Sequence, residues 1–424
     1  MEAKPLRILL IIVLVVMGIG ISFTGGLVAG YTIPHSVSLN LPSILAPQPT
    51  SPSIPTTANQ ESTATTTQDL TTLFQPFWQA WDLVHQQYIN QPVDDEKLMQ
   101  GAISGMLNSL GDPYTGYLDP FEYQQANAPL VGDYDGIGAW VDATGDYLTI
   151  TSPMDGSPAE KAGLKTGDKI VAVDGEDVTG QDPNIVLRKV LGPAGTSLTL
   201  SILREGESTP FDVTLVRANI KITLVSGKML DNNIAYVKVM QFGQNTDQEL
   251  RSELRTLLVQ KPDGLILDLR DDPGGFLDTA INIISQFIPN GTVMYEEHSD
   301  GSRTPYDARP GGLATDIPMV VLVNQGSASA SEITAGALQD LGRAPLVGVT
   351  TYGKGSVQTW TELDNNEGAV KITIAHWLTP NGTQINGVGL TPDYVVEMTD
   401  QDIQNNQDPQ LTKAEQVLLS EIAQ

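Results

Sequence analysis

Hydrophobic positions change their period several times along the chain, and each change predicts a different kind of element. Residues 8–33 are uncharged and mostly Leu, Ile, Val, Gly and Met, enough for a helix across a bilayer core about 30 Å thick. Residues 35–68 are rich in Pro, Ser, Thr and Gln and carry only Glu61 as a charge; such a stretch buries too little apolar surface to fold and predicts a linker. Leu73, Phe74, Phe77, Trp78, Trp81, Leu83, Val84 and Tyr88 then recur at near-helical spacing. A second helix is expected over 96–110, stopped by Gly111 and Pro113.

Residues 132–217 follow a different pattern. Short runs at 147–151, 169–173 and 197–203 alternate or are β-rich, with Gly and Asp between them, as half-buried strands do. Helix-compatible stretches at 157–162 and 183–191 interrupt them. From 219 onward, strand-like runs (234–239, 264–269, 319–323) alternate with helical ones (246–259, 276–287, 330–341). That is the rhythm of an α/β sheet covered by helices. Residues 411–423 predict a closing helix.

Composition narrows the function. A chain of 424 residues admits two or three domains. Its formal charge of -27, from 50 acidic against 23 basic residues, repels phosphates and excludes a nucleic-acid partner. With no cysteine, disulfides, thiol catalysis and Cys-ligated zinc are excluded. Lys4 and Arg7 precede the apolar run, so the positive-inside rule places the body outside the cytoplasm on a single-pass anchor. A cleaved signal peptide competes, with small residues at Val28-Ala29-Gly30.

Candidate chemistry begins with three alternating serines, Ser327, Ser329 and Ser331, at a strand-to-helix junction. Ser329-Ala-Ser-Glu332 fits a capping box. One cap does not explain three serines among Ala and Gly, and small residues let another chain approach closely. The junction also lies at the carboxyl edge of an α/β sheet, where ligands bind.

A nucleophilic serine needs a base. There is no G-x-S-x-G elbow, His35 and His85 lie in the linker and the helical segment, and His298 and His376 sit in no motif. Lys354, between Gly353 and Gly355, serves if burial lowers its pKa from about 10.4; otherwise it marks a surface turn. Gln358 shares a face with it if the stretch is extended. Asp272-Pro-Gly-Gly275 reads as a tight turn or as an oxyanion-hole donor.

Asp268-Leu-Arg-Asp-Asp-Pro-Gly-Gly275, Gly326-Ser-Ala-Ser-Ala-Ser-Glu332, Tyr352-Gly-Lys-Gly355, Trp377-Leu-Thr-Pro-Asn-Gly382 and Gly387-Val-Gly-Leu-Thr-Pro-Asp393 together closely resemble the C-terminal processing peptidases, or tail-specific proteases. The resemblance covers 69 to the C-terminus. It implies Ser329 as nucleophile, Lys354 as base, Gln358 as its assistant, and an oxyanion hole of Ala330 N–H with Gly274 or Gly275. Ser327 and Ser331 would be structural or site-lining, and Ser329 would be aimed into the site. No metal or cofactor is implied.

The strand-rich module resembles a PDZ domain, through Gly136-Ile137-Gly138-Ala139, Ser157-Pro-Ala-Glu-Lys-Ala-Gly-Leu-Lys-Thr-Gly-Asp168 and Val173-Asp-Gly175. Residues 136–139 would seat a substrate's C-terminal carboxylate, with 183–191 as the other groove wall. Several relatives carry a basic residue where Leu191 stands; Arg188 is the alternative link to the active site. By analogy the module would also shield the site until a tail binds.

The expected fold class is multidomain α+β and α/β: a transmembrane anchor (1–33), a linker (34–68), a helical domain (69–128), a PDZ domain (129–218), an α/β serine protease core (219–400) and a C-terminal helical tail packing on it (401–424). Expected partners are proteins with unstructured C-termini and the membrane, with room for a homo-oligomer or an adaptor. The rival readings are a membrane-anchored PDZ scaffold with an inert core and a Ser-His hydrolase using His298 or His376.

Overall fold

The computed structural model describes residues 67–423. The described residues form two compact units that meet between Ser109 and Leu110 in the chain, and the helical segment is described by itself. It comprises helices Thr67–Leu73, Gln75–Gln87 and Asp95–Asn108, the last capped by the Asp94 side chain. The aromatic stripe is helical as predicted, yet no residue of Gln75–Gln87 is buried. Phe77, Trp78 and Trp81 pack on one another, and His85 stacks on Trp81.

The membrane expectation is corrected. Residues 1–33 lie outside the described residues, as does the linker up to residue 66. No helix among the described residues is long and apolar enough to cross a membrane. The longest, Asp95–Asn108 and Pro409–Ile422, have 14 residues and reach about 21 Å against a core of about 30 Å. The membrane partner and the single-pass, extracytoplasmic location drawn from that anchor fall with it. What stands is a multidomain α+β fold in which the strand-rich module and the larger core each have their own sheets.

From Leu110, the larger unit is built on three sheets and a two-stranded clasp. In the central sheet, strands Ile234–Val239, Gly264–Asp268, Met319–Val323, Leu346–Gly348 and Tyr394–Val395 run parallel, with Val225–Leu230 antiparallel at one edge. Alternation sorts its side chains. Ala235, Val237, Leu265, Leu267, Val321 and Val323 pack among helices Thr246–Leu258, Leu277–Ile284 and Ala330–Asp340. Ile234, Ile266, Val320, Leu322 and Val347 meet Ala414, Val417 and Leu418 of Pro409–Ile422. Burial on both faces is why these strands read as continuous apolar runs.

A second sheet pairs Ser356–Glu362 and Gly116–Leu118 with Ala369–Leu378. The strand-rich module has its own core, around Leu148, Ile150, Leu198, Leu200 and Ile202. Strands Asp133–Gly136 and Ala218–Lys221 pair where the chain enters and leaves it. The helix Pro120–Val131 was not anticipated: Pro129 lies inside it, a residue that normally argues against a helix. An Asp119/Glu122 capping box starts it.

Candidate active site

Helix Ala330–Asp340 follows strand Met319–Val323, which sets the serine run at the carboxyl end of the parallel sheet. Ser329 takes φ 55°, ψ -116°, a region costly for any residue with a Cβ. The chain is pinned there from both sides. Ser327 Oγ donates to the Leu269 carbonyl at 2.8 Å and Ser331 Oγ to the same oxygen at 3.4 Å. The Ala328 N–H donates to the Asp272 carbonyl at 3.0 Å. The outer serines thus fasten the run to the Asp268–Gly275 segment.

That segment approaches closely because its glycines lack a Cβ. A Cβ on Gly274 would stand 2.6 Å from Ala328 O, 2.8 Å from Ala330 N and 2.9 Å from Ser329 Cβ. One on Gly275 would stand 2.2 Å from Phe242 O. The Gly274 N–H donates to Asp272 Oδ1 at 2.8 Å. Upstream, Arg270 holds Asp268 and reaches Asp408 and Gln410, tying the motif to the C-terminal helix.

Lys354 is not in a surface turn; it is 3% exposed. Its two glycines admit the 386–389 segment: a Cβ on Gly353 would stand 2.8 Å from Gly389 N, and one on Gly355 2.8 Å from Asn386 Cβ. Trp377 Nε1 donates to the Lys354 carbonyl at 2.8 Å, and the Tyr352 N–H to the Ser327 carbonyl at 3.0 Å. The lysine turn and the serine run are therefore joined directly.

Glu332 makes the second join. Its Oε2 accepts the Ser329 N–H and the Lys354 N–H, each at 2.9 Å. Its Oε1 accepts the Gly353 N–H at 2.7 Å and the Thr351 hydroxyl at 2.5 Å. Burial pushes this carboxyl above its ordinary pKa while these hydrogen bonds pull it down. The S-x-x-E spacing was legible as a cap; its reach to Thr351, Gly353 and Lys354 was not.

Burial brings the Lys354 ammonium down to about 7, and repulsion from Lys371 adds to this, while Glu332 and Asp112 act the other way. The Tyr114 ring lies 5.3 Å from its Nζ. Gln358, fully buried, donates to Ser356 Oγ at 2.8 Å and Thr373 Oγ1 at 3.2 Å. Thr373 in turn donates to Asp112. Asp112, Tyr114, Thr373 and Lys371 escaped the sequence reading because no motif links them. His298 meets Thr304 on a hairpin, and His376 lies opposite Ser356 in its strand. Among the described residues no cluster could hold a metal ion.

A cavity of about 420 Å³ includes the groove between strand Ala139–Asp142 and helix Pro183–Val190, lined by Ile137, Ala139, Val141, Leu187, Val190 and Leu191, and is walled on its other side by Gln125, Ala126, Ala128 and Pro129 of helix Pro120–Val131 and by Gln241. The strand is the sheet's edge. At the groove's end Gly138 has φ +72°, and a Cβ there would stand 2.4 Å from Ser157 Cβ. Gly136 packs under the Tyr134 ring. Arg188 donates to Asp119 at 2.7 Å and lies over the Phe121 ring, so it leaves the module toward helix Pro120–Val131. From that helix Tyr123 reaches Glu362 and Trp360, on the strand bearing Gln358.

Comparisons with known proteins agree with this layout. The model of peptidase family S41 matches residues 233–396, that of a PDZ domain 149–204, and that of the "Activating protease CtpB N-terminal domain" 46–120. The chain is 40% identical over 328 residues to the carboxy-terminal-processing protease of Bartonella bacilliformis, covering 76% of this chain and 74% of that one. It is 39% identical over 311 residues to the carboxy-terminal processing protease CtpA of Bacillus subtilis, covering 73% and 66%. The solved photosystem II D1 C-terminal processing protease aligns at 30% identity over 76% of this chain and 87% of that one, with a TM-score of 0.47.

Proposed function

Because the chain belongs to the carboxy-terminal-processing peptidases of family S41, serine-type enzymes with a PDZ substrate-recognition domain, we propose that it cleaves proteins near their C-terminus with a Ser329–Lys354 dyad. The observation that carries this is the shared Glu332 oxygen, which holds the nucleophile and base turns at one point. A lysine titrating at about 7 is a competent base near neutral pH.

Neutral Lys354 takes the Ser329 hydroxyl proton as Oγ attacks the scissile carbonyl carbon, and Gln358 helps orient the lysine. The tetrahedral oxyanion accepts the Ala330 N–H, aided by the helix N-terminus. The Gly274 N–H is already committed to Asp272, which leaves Gly275 as the second donor. The intermediate collapses to an acyl-enzyme, Lys354 returns its proton to the leaving amine, and water, deprotonated by the same lysine, releases the acyl group.

The substrate's tail adds as a strand to the edge Ala139–Asp142, its carboxylate on residues 136–139 and its last apolar side chain in the groove. Ser329, at 1% exposed, supports a closed resting state that opens when a tail binds. The test is cleavage of an unfolded protein with a free apolar C-terminus by the full chain and by Ser329→Ala. Cleavage by the parent alone supports the reading, while equal cleavage by both removes Ser329 as nucleophile. Tail binding without cleavage favours a PDZ scaffold with an inert core.

A further inference from the structure

Asp272 is a buried acid that the reaction above does not use. It is 0% exposed and belongs to the turn lying against Ser329. Its Oδ1 accepts the Gly274 N–H and its carbonyl accepts the Ala328 N–H, so one residue joins the glycine turn to the serine run. Its Oδ2 is buried with no hydrogen-bond partner among the described residues. An ionised carboxylate would hold charge on an oxygen that nothing solvates, an arrangement folded proteins avoid. A proton on Oδ2 removes the difficulty and leaves Oδ1 a carbonyl oxygen that still accepts from Gly274.

The surrounding charges decide little. Lys238, from strand Ile234–Val239, favours the ionised form, and Asp268 opposes it while itself paired to Arg270. The neighbouring Asp271 carboxylate accepts the Asn324 amide instead. Burial outweighs these and pushes the Asp272 carboxyl well above its ordinary range.

We propose that Asp272 is a positioning residue for hydrolysis: as an uncharged acid, its carboxyl holds Gly274, and through it the Gly275 N–H, in register with Ala330 and Ser329. This rests on the serine-peptidase reading above. The acid form acts as a neutral clamp, and its ionisation at high pH loosens the oxyanion turn.

The test compares the full chain with Asp272→Asn and Asp272→Ala, and with Ser329→Ala as control. Asp272→Asn keeps a neutral acceptor for Gly274; it should retain kcat within about twofold near neutral pH and lack the alkaline fall in kcat expected of the parent. Asp272→Ala should lose kcat by roughly 10- to 100-fold with KM little changed, as loss of a transition-state contact does. Infrared difference spectra of parent against Asp272→Asn at neutral pH should show a protonated carboxyl band in the parent, a readout independent of activity and of whether Asp272→Ala folds. Absence of that band, or an Asp272→Asn enzyme as impaired as Asp272→Ala, overturns the proposal. Activity surviving in Ser329→Ala would instead bring down the reading beneath it, whatever the infrared band shows.

Discussion

The Ser329 and Lys354 backbone N–H groups donate to the same oxygen, Glu332 Oε2, each at 2.9 Å. Residues 25 positions apart (354 minus 329) are thereby held by a single carboxylate. Side-chain rotamers can hop, but these two backbones cannot separate without breaking that hub. A fully buried acceptor also keeps water from competing for either donor.

Glu332→Ala would leave three backbone N–H groups and the Thr351 hydroxyl without their acceptor, at about 1–3 kcal/mol for each that water cannot reach. It should lower both Tm and kcat, and Glu332→Gln, keeping one acceptor oxygen, should fall between. Calorimetry beside steady-state kinetics decides; parental Tm and kcat in Glu332→Ala would show that the hub is dispensable.

With Lys354 as the proposed base, activity should rise with pH through about 7, because only its neutral form can accept a proton. Lys371→Met removes a neighbouring positive charge and should move this acid limb of kcat/KM to higher pH. An unmoved limb would mean that Lys371 does not act on Lys354.

Lys354 also carries a stability signature. Its folded pKa lies below its ordinary 10.5, so between about 7 and 10.5 the unfolded chain binds more protons and stability rises with pH, by about 1.4 kcal/mol per unit. Below 7 the folded state bears the full cost of a buried ammonium. Lys354→Met should therefore be inactive yet more heat-stable than the parent at pH 6, with the gap closing towards pH 10.5. A pH-independent gap would argue against a desolvated lysine.

Ser329→Ala should be inactive with nearly parental Tm, since it keeps the Cβ in the same strained backbone. Ser329→Gly should be equally inactive but more stable, by order of 1 kcal/mol, because φ 55°, ψ -116° suits glycine. Equal melting of the two variants would show that the strain costs nothing.

In the groove, Leu187→Asp should weaken binding of a peptide with a free apolar C-terminus, and amidating that peptide should weaken it as well. Fluorescence anisotropy with the full chain measures both. Tight binding of the amidated peptide would remove residues 136–139 as the carboxylate seat.

Much of the fold was legible where a pattern repeats inside one element. Strands Ile234–Val239 and Met319–Val323 fall where the apolar runs predicted them, and helix Ala330–Asp340 ends one residue before its predicted last residue, Leu341. The aromatic stripe shows the limit: helical spacing was right, but periodicity alone does not say what covers a face, and Phe74 and Trp78 stay about half exposed. The apolar length of residues 8–33 likewise produced a membrane expectation that no described helix supports.

By itself the sequence determined which residue types fill the candidate site's short motifs, since Ser329, Lys354 and the Pro-Gly-Gly turn reflect local backbone needs. Only the tertiary structure decided what surrounds them. Asp112 and Thr373 hydrogen-bond across 261 residues, and Lys371 bears on Lys354 from the neighbouring strand of the second sheet. On the reading proposed above, burial and the charge of Lys371 make Lys354 a base, and burial makes Asp272 a neutral acid. Those are properties of distant segments brought together, which no local pattern encodes.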